Sequence, residues 1–293
     1  MSDRLLRGTF QNSQIRFAVC ETTELCGEAM ERLKTDPVSG LLLSEALTCA
    51  ALLSVALTDG ERLSLRWSYP GPIGTILADM NEKCEVRGFP QGLRLMPRVS
   101  SPPEAFGGEG KISGISSFPD RVGQLGTVRA VFQDITLDLA HLLSLSFQVE
   151  TALGVGLKLL PGEPIRPAMA TGIMLQPLPG CDLEVFDRVR RTVEHPVFRE
   201  WAEARPRRAE ELVEWLNLDE SPLYLGEIRP AYVCHCSREK VVSVLRMLGA
   251  EELRDMVEKD GQAEVNCHFC ASTYHFSRTD LQFLLQQSQV GHA

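Results

Sequence analysis

The chain has 293 residues, of which 44% are hydrophobic, and carries 39 acidic and 30 basic side chains for a formal net charge of -9. This length allows about two domains with a sizeable core. The acidic balance argues against a protein that neutralises nucleic-acid phosphates, and residues 1–7 lack the apolar run of a secretory signal. We therefore expect a cytoplasmic protein that binds neither nucleic acid nor a membrane.

The N-terminal part of the chain mixes strand and helix patterns, which predicts an α+β fold with a mixed α/β N-terminal domain. The longest apolar stretch, 41–57, contains Glu45 and is short for a membrane span, so we expect a buried core helix there. The other predicted helices are 25–34 and 137–145, and the predicted strands are 15–19, 62–68, 75–79, 83–87 and 169–176.

The composition changes at Asp182. From there to Arg229 charges of both signs are dense, while apolar residues recur about every fourth position. Pro196 and Pro206 divide the pattern into short helices, each expected to begin near its proline. Such helices have too little apolar surface to be stable alone. The segment is either a plain helical connector or a marginally stable linker that can be switched.

Two cysteine pairs lie near the C-terminus, Cys234 with Cys236 and Cys267 with Cys270. Both spacings are typical of ligands that close around one tetrahedral Zn²⁺. The second pair lies between two short strand-like runs, as in a zinc-ribbon hairpin. The first precedes Ser237, a good N-cap, and an amphipathic helical pattern whose N-terminal dipole favours thiolates.

Other interpretations of these cysteines are possible. They include buried thiols, a catalytic Cys-x-x-Cys, a disulfide framework, or a Cys₃His site that uses a histidine. The rival histidine ligands are His235, His268 and His275. The remaining cysteines have no ligand spacing and are expected to be ordinary core or surface residues; they are Cys20, Cys26, Cys49, Cys84 and Cys181.

A closed four-sulfur site leaves no coordination position for a substrate, so the site is either structural or a redox switch. Each cysteine has a potential resolving partner close to it in sequence. The last helix is expected to begin at Ser277, with Asp280 completing a capping box. A module of about sixty residues has a small core, so the metal is expected to supply much of its folding free energy.

The sequence resembles the heat shock protein 33 family of redox-regulated bacterial holdase chaperones over nearly its whole length. The resemblance rests on the two cysteine pairs, with Tyr274 after the second. It also rests on four N-terminal motifs, at residues 41–47, 71–74, 86–89 and 172–180.

The resemblance implies three parts, which are a chaperone core domain at 1–180, a metastable helical linker at 181–230 and a zinc-binding redox-switch domain at 231–293. It implies one Zn²⁺ per reduced chain, held by Cys234, Cys236, Cys267 and Cys270. Oxidation would form the Cys234–Cys236 and Cys267–Cys270 disulfides and release the metal.

The implied activity is ATP-independent binding of unfolded or aggregation-prone clients, by a homodimer when oxidised, and not enzyme catalysis. The alternatives from the residues are a thiol–disulfide oxidoreductase that uses Cys267 and Cys270, and a structural zinc-ribbon adaptor. The chain departs from the family pattern at four positions, which bears on local geometry and on any dimer contact there. They are Leu142, Leu143, Phe147 and Glu150, where the family usually has an aromatic pair and then an acid and a proline.

Overall fold

The computed structural model describes residues 2–162 and 164–290. The chain divides into two compact units, Met1–Val233 and Cys234–Ala293. Helices and mostly antiparallel sheets occur together in the first unit, so the predicted α+β class is confirmed. The three-part division at 180 and 230 stays a prediction.

Two sheets form the framework of the first unit. One has five strands in the order β10-β1-β2-β9-β8, and the other has six in the order β11-β5-β4-β3-β6-β7. The strands are β1 (Arg4–Phe10), β2 (Ile15–Glu21), β3 (Arg62–Ser68), β4 (Thr75–Asn81), β5 (Glu85–Pro90), β6 (Gly110–Phe118), β7 (Arg121–Ala130), β8 (Ala152–Leu160), β9 (Arg166–Pro177), β10 (Leu223–Ile228) and β11 (Ala231–Tyr232).

The described residues of the first unit also form seven helices, most of which pack against these sheets. They are α1 (Thr23–Leu33), α2 (Pro37–Ser54), α3 (Pro102–Phe106), α4 (Ile135–Ser146), α5 (Leu183–Glu194), α6 (Pro196–Glu203) and α7 (Ala209–Trp215). The last three form the charged segment after Asp182, and Pro196 takes the first position of α6 as predicted. Asp182 caps α5 by accepting hydrogen bonds from two backbone amides.

The core helix is α2, which packs against β2, β8 and β9 of one sheet and β4 and β5 of the other. Asp36 caps it by accepting from the amide of Ser39, and Pro37 pre-sets its first turn. The helix α2 is long and apolar enough to span a membrane, but 89% of it is buried inside the protein. This burial confirms the predicted core helix.

The five-stranded sheet is covered on both faces. Along β2 the side chains alternate, so that Ala18 and Cys20 join the large core around α2. Phe17 and Val19 point to the other face and join a second core, to which α5, α6 and α7 contribute. The charged segment therefore hides an apolar sheet face.

The residues that depart from the family pattern lie at and after the end of helix α4. Leu142 and Leu143 are buried in the large core, and Phe147 packs against it as the C-cap residue. The carboxylate of Glu150 accepts a hydrogen bond from the hydroxyl of Ser144, 2.8 Å away. A dimer contact at this end of the helix stays a prediction.

The second unit is small. It contains α8 (Arg238–Met247), α9 (Ala250–Asp255), a π-helical turn (Met256–Asp260), β12 (Gln262–Asn266), β13 (Thr273–Ser277) and α10 (Arg278–Val290). The strands pair antiparallel, and the capping box of α10 forms as predicted, because Ser277 and Asp280 hydrogen-bond each other's backbone amides. The buried core of this unit consists of Leu245, Leu253, Val257, Phe276, Leu281 and Leu284.

Candidate metal centre

The first cysteine pair lies immediately before helix α8. Ser237 caps this helix, accepting from the amide of Lys240. Cys236 is therefore one residue outside the helix N-terminus, where the aligned peptide dipoles stabilise negative charge. The helix dipole thus favours a thiolate here, whereas burial acts in the opposite direction and raises the pKa of Cys236.

The second pair sits at the turn of the β12–β13 hairpin. The amide of Ala271 donates to the carbonyl of Cys267 at 2.8 Å, and the amide of Cys267 donates to the carbonyl of Ser272 at 2.9 Å. Ala271 adopts the left-handed conformation, with φ of 56°, to close this turn. These bonds form a knuckle that presents both sulfurs on the same side.

The four predicted sulfurs converge. All four Sγ atoms lie within 4.8 Å of one another. The Cys234 and Cys267 sulfurs are 3.7 Å apart, and those of Cys236 and Cys270 are 3.3 Å apart. A tetrahedral Zn²⁺ with bonds of about 2.3 Å needs sulfurs about 3.8 Å apart, whereas a disulfide needs about 2 Å. The donor set therefore fits a four-thiolate metal site, and all nine cysteines are free.

The three histidines considered as alternative ligands do not belong to the sulfur cluster. Among the side chains that the structure describes, the metal-ligand group contains only the four cysteines. His275 lies opposite Glu264 in the hairpin, with its Nδ1 atom 3.4 Å from a carboxylate oxygen. The geometry favours four sulfur ligands over a Cys₃His set.

Without a cation, the thiols of Cys267 and Cys270 have very different pKa values. Burial raises the pKa of Cys267 to about 12. Burial also acts to raise the pKa of Cys270, but hydrogen bonds with Ser272 and with the neighbouring thiols outweigh it and lower that pKa to about 6. A divalent cation would offset the repulsion and ionise all four sulfurs, so metal binding should release protons.

Tyr274 and Arg238 make contacts in the second unit that cysteine spacing alone did not reveal. The phenolic hydroxyl of Tyr274 donates to the Cys236 sulfur at 3.1 Å. Arg238 stacks over the ring of Phe276 at 4.2 Å and pairs with Asp280 at 3.2 Å. Tyr274 was visible in the sequence only as part of a motif, because a contact across 38 residues leaves no local signal.

A mixed α+β unit followed by a small unit with four converging cysteines defines a two-unit protein with a cysteine cluster that could hold a metal ion. The family model described as Hsp33 protein matches residues 3–277. This chain therefore belongs to the Hsp33 family, which is a family of chaperones and not of enzymes.

Individual relatives agree with this assignment. The 33 kDa chaperonin of Geobacillus kaustophilus is 31% identical over 293 residues, which cover 98% of each chain. That of Bacillus licheniformis is 30% identical over 96% of this chain and 98% of its own. The crystal structure of the Hsp33 homologue from Thermotoga maritima matches with a TM-score of 0.85 over 99% of this chain and 100% of its own, at 24% identity, and supports the fold.

Proposed function

We propose that this chain is an ATP-independent holdase chaperone that oxidation of a zinc-bound four-cysteine centre activates. The observation that carries the proposal is the convergence of Cys234, Cys236, Cys267 and Cys270 at distances suited to one tetrahedral ion. Sulfur-only donor sets favour Zn²⁺ among the common metals, though Cu(I) and iron share this preference. Membership of a chaperone family supports the rest of the assignment.

Bound zinc would hold the two cysteine pairs together and keep their sulfurs ionised. Among the side chains that the structure describes, six buried apolar ones form the small core of the second unit, so metal ligation would supply much of its folding free energy. Oxidation by a peroxide converts each pair of thiolates to a disulfide. Two electrons pass to the peroxide, which takes up two protons and leaves as two waters. The ligands are then lost, and the second unit loses its cross-link.

We expect the charged segment to undock when the centre is oxidised. Its helices cover the apolar face of the five-stranded sheet with a few buried side chains, among them Phe198 and Leu212. Between α6 and α7, Trp201 and Trp215 stack at 4.3 Å and the guanidinium of Arg207 lies 4.0 Å from the Trp201 ring. Such short helices are stable only while docked. Undocking would expose the sheet face.

Chain connectivity links loss of the metal ligands to undocking of the charged segment. The segment returns to the sheets through β10, which pairs with β1, and β11, which pairs with β5. Tyr232 of β11 is buried, and its hydroxyl donates to the carbonyl of Gly88 at 3.0 Å. Cys234 follows two residues later, so loss of ligation frees the chain directly after this short strand.

The face that undocking would uncover fits unfolded clients. It presents large side chains such as Phe10, Phe17 and Leu175, all nearly inaccessible while the segment is docked. Contiguous exposed apolar surface binds other apolar chains without ATP. We further propose that the protein works in the cytoplasm, forms a homodimer when oxidised, and binds neither nucleic acid nor membranes.

The test is light scattering from a chemically unfolded client during dilution, with zinc release followed in the same sample. Reduced, zinc-loaded protein should not protect the client, whereas protein oxidised at mild heat should. Cys181→Ser is a matched control outside the centre and should behave like the parent, whereas Cys267→Ser should bind zinc weakly. Zinc release without protection would refute the chaperone switch. Zinc that stays bound through oxidation would make the centre structural.

A further inference from the structure

The four sulfurs have different hydrogen-bond environments. Around Cys267 the donors are the backbone amides of Phe269 and Cys270. Cys236 receives a side-chain donor instead, the hydroxyl of Tyr274, with an oxygen-to-sulfur distance of 3.1 Å. A side-chain donor can be removed by one substitution, which a backbone amide cannot.

Tyr274 is held in place from both sides. It lies in β13, directly opposite Val265 of β12, and its ring packs against the small core of the second unit. The hydroxyl therefore reaches Cys236, which belongs to the first cysteine pair, from the hairpin that carries the second. This contact links the two halves of the centre through Tyr274, a side chain that is not itself one of the four proposed ligands.

A hydrogen bond to a thiolate withdraws electron density from the sulfur, as ligand-shell hydrogen bonds do at other metal centres. The sulfur then attacks an electrophile more slowly. We propose that Tyr274 is a positioning residue that restrains the Cys236 sulfur and slows its oxidation, so that it sets how much oxidant the centre tolerates. This inference rests on the proposed function, because it concerns the regulation of the same site.

The restrained step is attack of the Cys236 sulfur on a peroxide. The sulfur forms a bond to one oxygen, the O–O bond breaks, and the second oxygen leaves as hydroxide and takes up a proton to become water. The neighbouring Cys234 thiolate then displaces the sulfenic hydroxyl, which leaves as a second water after protonation, and the disulfide forms. The peroxide is reduced by the two electrons that the two sulfurs lose.

The experiment compares the full-length, zinc-loaded parent with Tyr274→Phe, which removes only the hydroxyl. Thr273→Val is the matched control, because it removes a neighbouring hydroxyl that contacts Asn266 at 2.6 Å. Each protein is treated with hydrogen peroxide or with N-ethylmaleimide, and modification of each cysteine is followed by mass spectrometry. We expect about 3- to 10-fold faster modification of Cys236 in Tyr274→Phe, the scale of the net contribution of one typical hydrogen bond, and no change in Thr273→Val.

A second measurement separates an electronic effect on the sulfur from a loss of folding. With Co²⁺ in place of zinc, the sulfur-to-cobalt charge-transfer band should move to lower energy in Tyr274→Phe and stay unchanged in the control. Equal Cys236 rates in all three proteins, or failure of Tyr274→Phe to bind Co²⁺, would overturn the inference. Failure of the proposed function is distinguishable, since the oxidised parent would then not protect a client while the Cys236 rates still differed.

Discussion

Replacing Arg199 with methionine tests how the charged segment is fastened to the core. Arg199 lies in α6, and its guanidinium is 3.2 Å from a carboxylate oxygen of Glu45 and 3.4 Å from one of Asp134. Glu45 belongs to the core helix α2 and is only 7% exposed. This ion pair therefore connects the segment to the most buried helix of the first unit.

Burial raises the pKa of Glu45 to about 7, although Arg199 opposes the shift; Asp134 and Glu203 add to it. A carboxyl whose folded pKa lies above its unfolded value of about 4.5 stabilises the folded form below pH 4.5, and loses that contribution as the pH rises through 7. From 4.5 to 7 the full effect is about 3 kcal/mol. Docking of the segment should therefore weaken between pH 5 and 8.

Arg199→Met leaves Glu45 without its cation. Because Arg199 opposes the rise in the pKa of Glu45, its removal raises that pKa further, so at pH 8 the folded variant must take up a proton or hold an unpaired buried carboxylate. Proton uptake at pH 8, one unit above the parent pKa of about 7, limits the added loss to about 1.4 kcal/mol. At pH 5 Glu45 is protonated in both proteins, so the loss should nearly disappear.

The assay is urea unfolding of the reduced, zinc-loaded protein, followed by tryptophan fluorescence. Trp201 and Trp215 report on the segment, and Trp67→Phe removes the signal from the main core. Arg205→Met is the control, because Arg205 is 56% exposed and pairs with Glu211 inside the segment; it should change stability by less than about 1 kcal/mol at either pH.

Other groups titrate in the same range, so a second variant assigns the effect. Burial raises the pKa of Asp3 to about 6, with the same sign as for Glu45. Glu45→Gln should remove the Glu45 share of the pH dependence and leave that of Asp3. An Arg199→Met loss of equal size at pH 5 and 8, or one matched by Arg205→Met, would refute the assigned role of the ion pair.

Three further predictions concern the metal, the docked helix and the buried thiols. Chelation of zinc from the reduced protein should unfold the second unit, because it removes folding free energy on the order of 10 kcal/mol. Hydrogen exchange should then show lost amide protection in this unit, and retained protection would contradict the prediction. Gly156→Ala places a Cβ 2.3 Å from that of Ala202 in α6. This clash should undock α6, so the reduced variant should protect clients without oxidation. Gly27→Ala is the control, because its new Cβ makes an ordinary contact. Burial raises the pKa of Cys26 and Cys84 to about 12, so neither should react with N-ethylmaleimide at pH 7 until urea unfolds the first unit.

Elements with a clear local pattern were predictable from the sequence. The strand at Arg62–Ser68 alternates between exposed and buried positions and was placed at its observed bounds. The strand expected from 83 begins instead at Glu85, because Cys84 closes a turn with φ of 57° and donates its amide to the carbonyl of Asn81. The alternation of apolar and polar residues does not indicate that turn.

Strands without their own apolar alternation were missed. β10 has mostly exposed side chains and exists because its backbone completes the edge of the sheet beside β1. In the charged segment, the four-residue apolar spacing runs through Val197, yet that side chain is 49% exposed while Phe198 is buried. Pro196 starts a new helix and resets the phase, which a continuous periodicity cannot represent.

The candidate site was more predictable than the fold around it, because cysteine spacing directly reflects the geometry of a knuckle. The spacing could not say which sulfurs face each other across the centre. Two of the sulfur contacts join the two pairs, Cys234 with Cys267 and Cys236 with Cys270. They depend on how the hairpin lies against α8, which is tertiary information.

The proposed redox switch also requires that the thiols of the core react slowly, and the fold provides this through burial. Cys20 and Cys49 are fully buried in the first unit, and burial raises the pKa of each well above the usual value. Since the thiolate is the reactive form, these side chains react slowly. Three of the four sulfurs of the centre belong to partly exposed residues, and a bound cation would keep all four ionised. In the proposed switch, oxidant would therefore react first with the four cysteines of the centre, while the buried thiols of the core would stay reduced until the core opens.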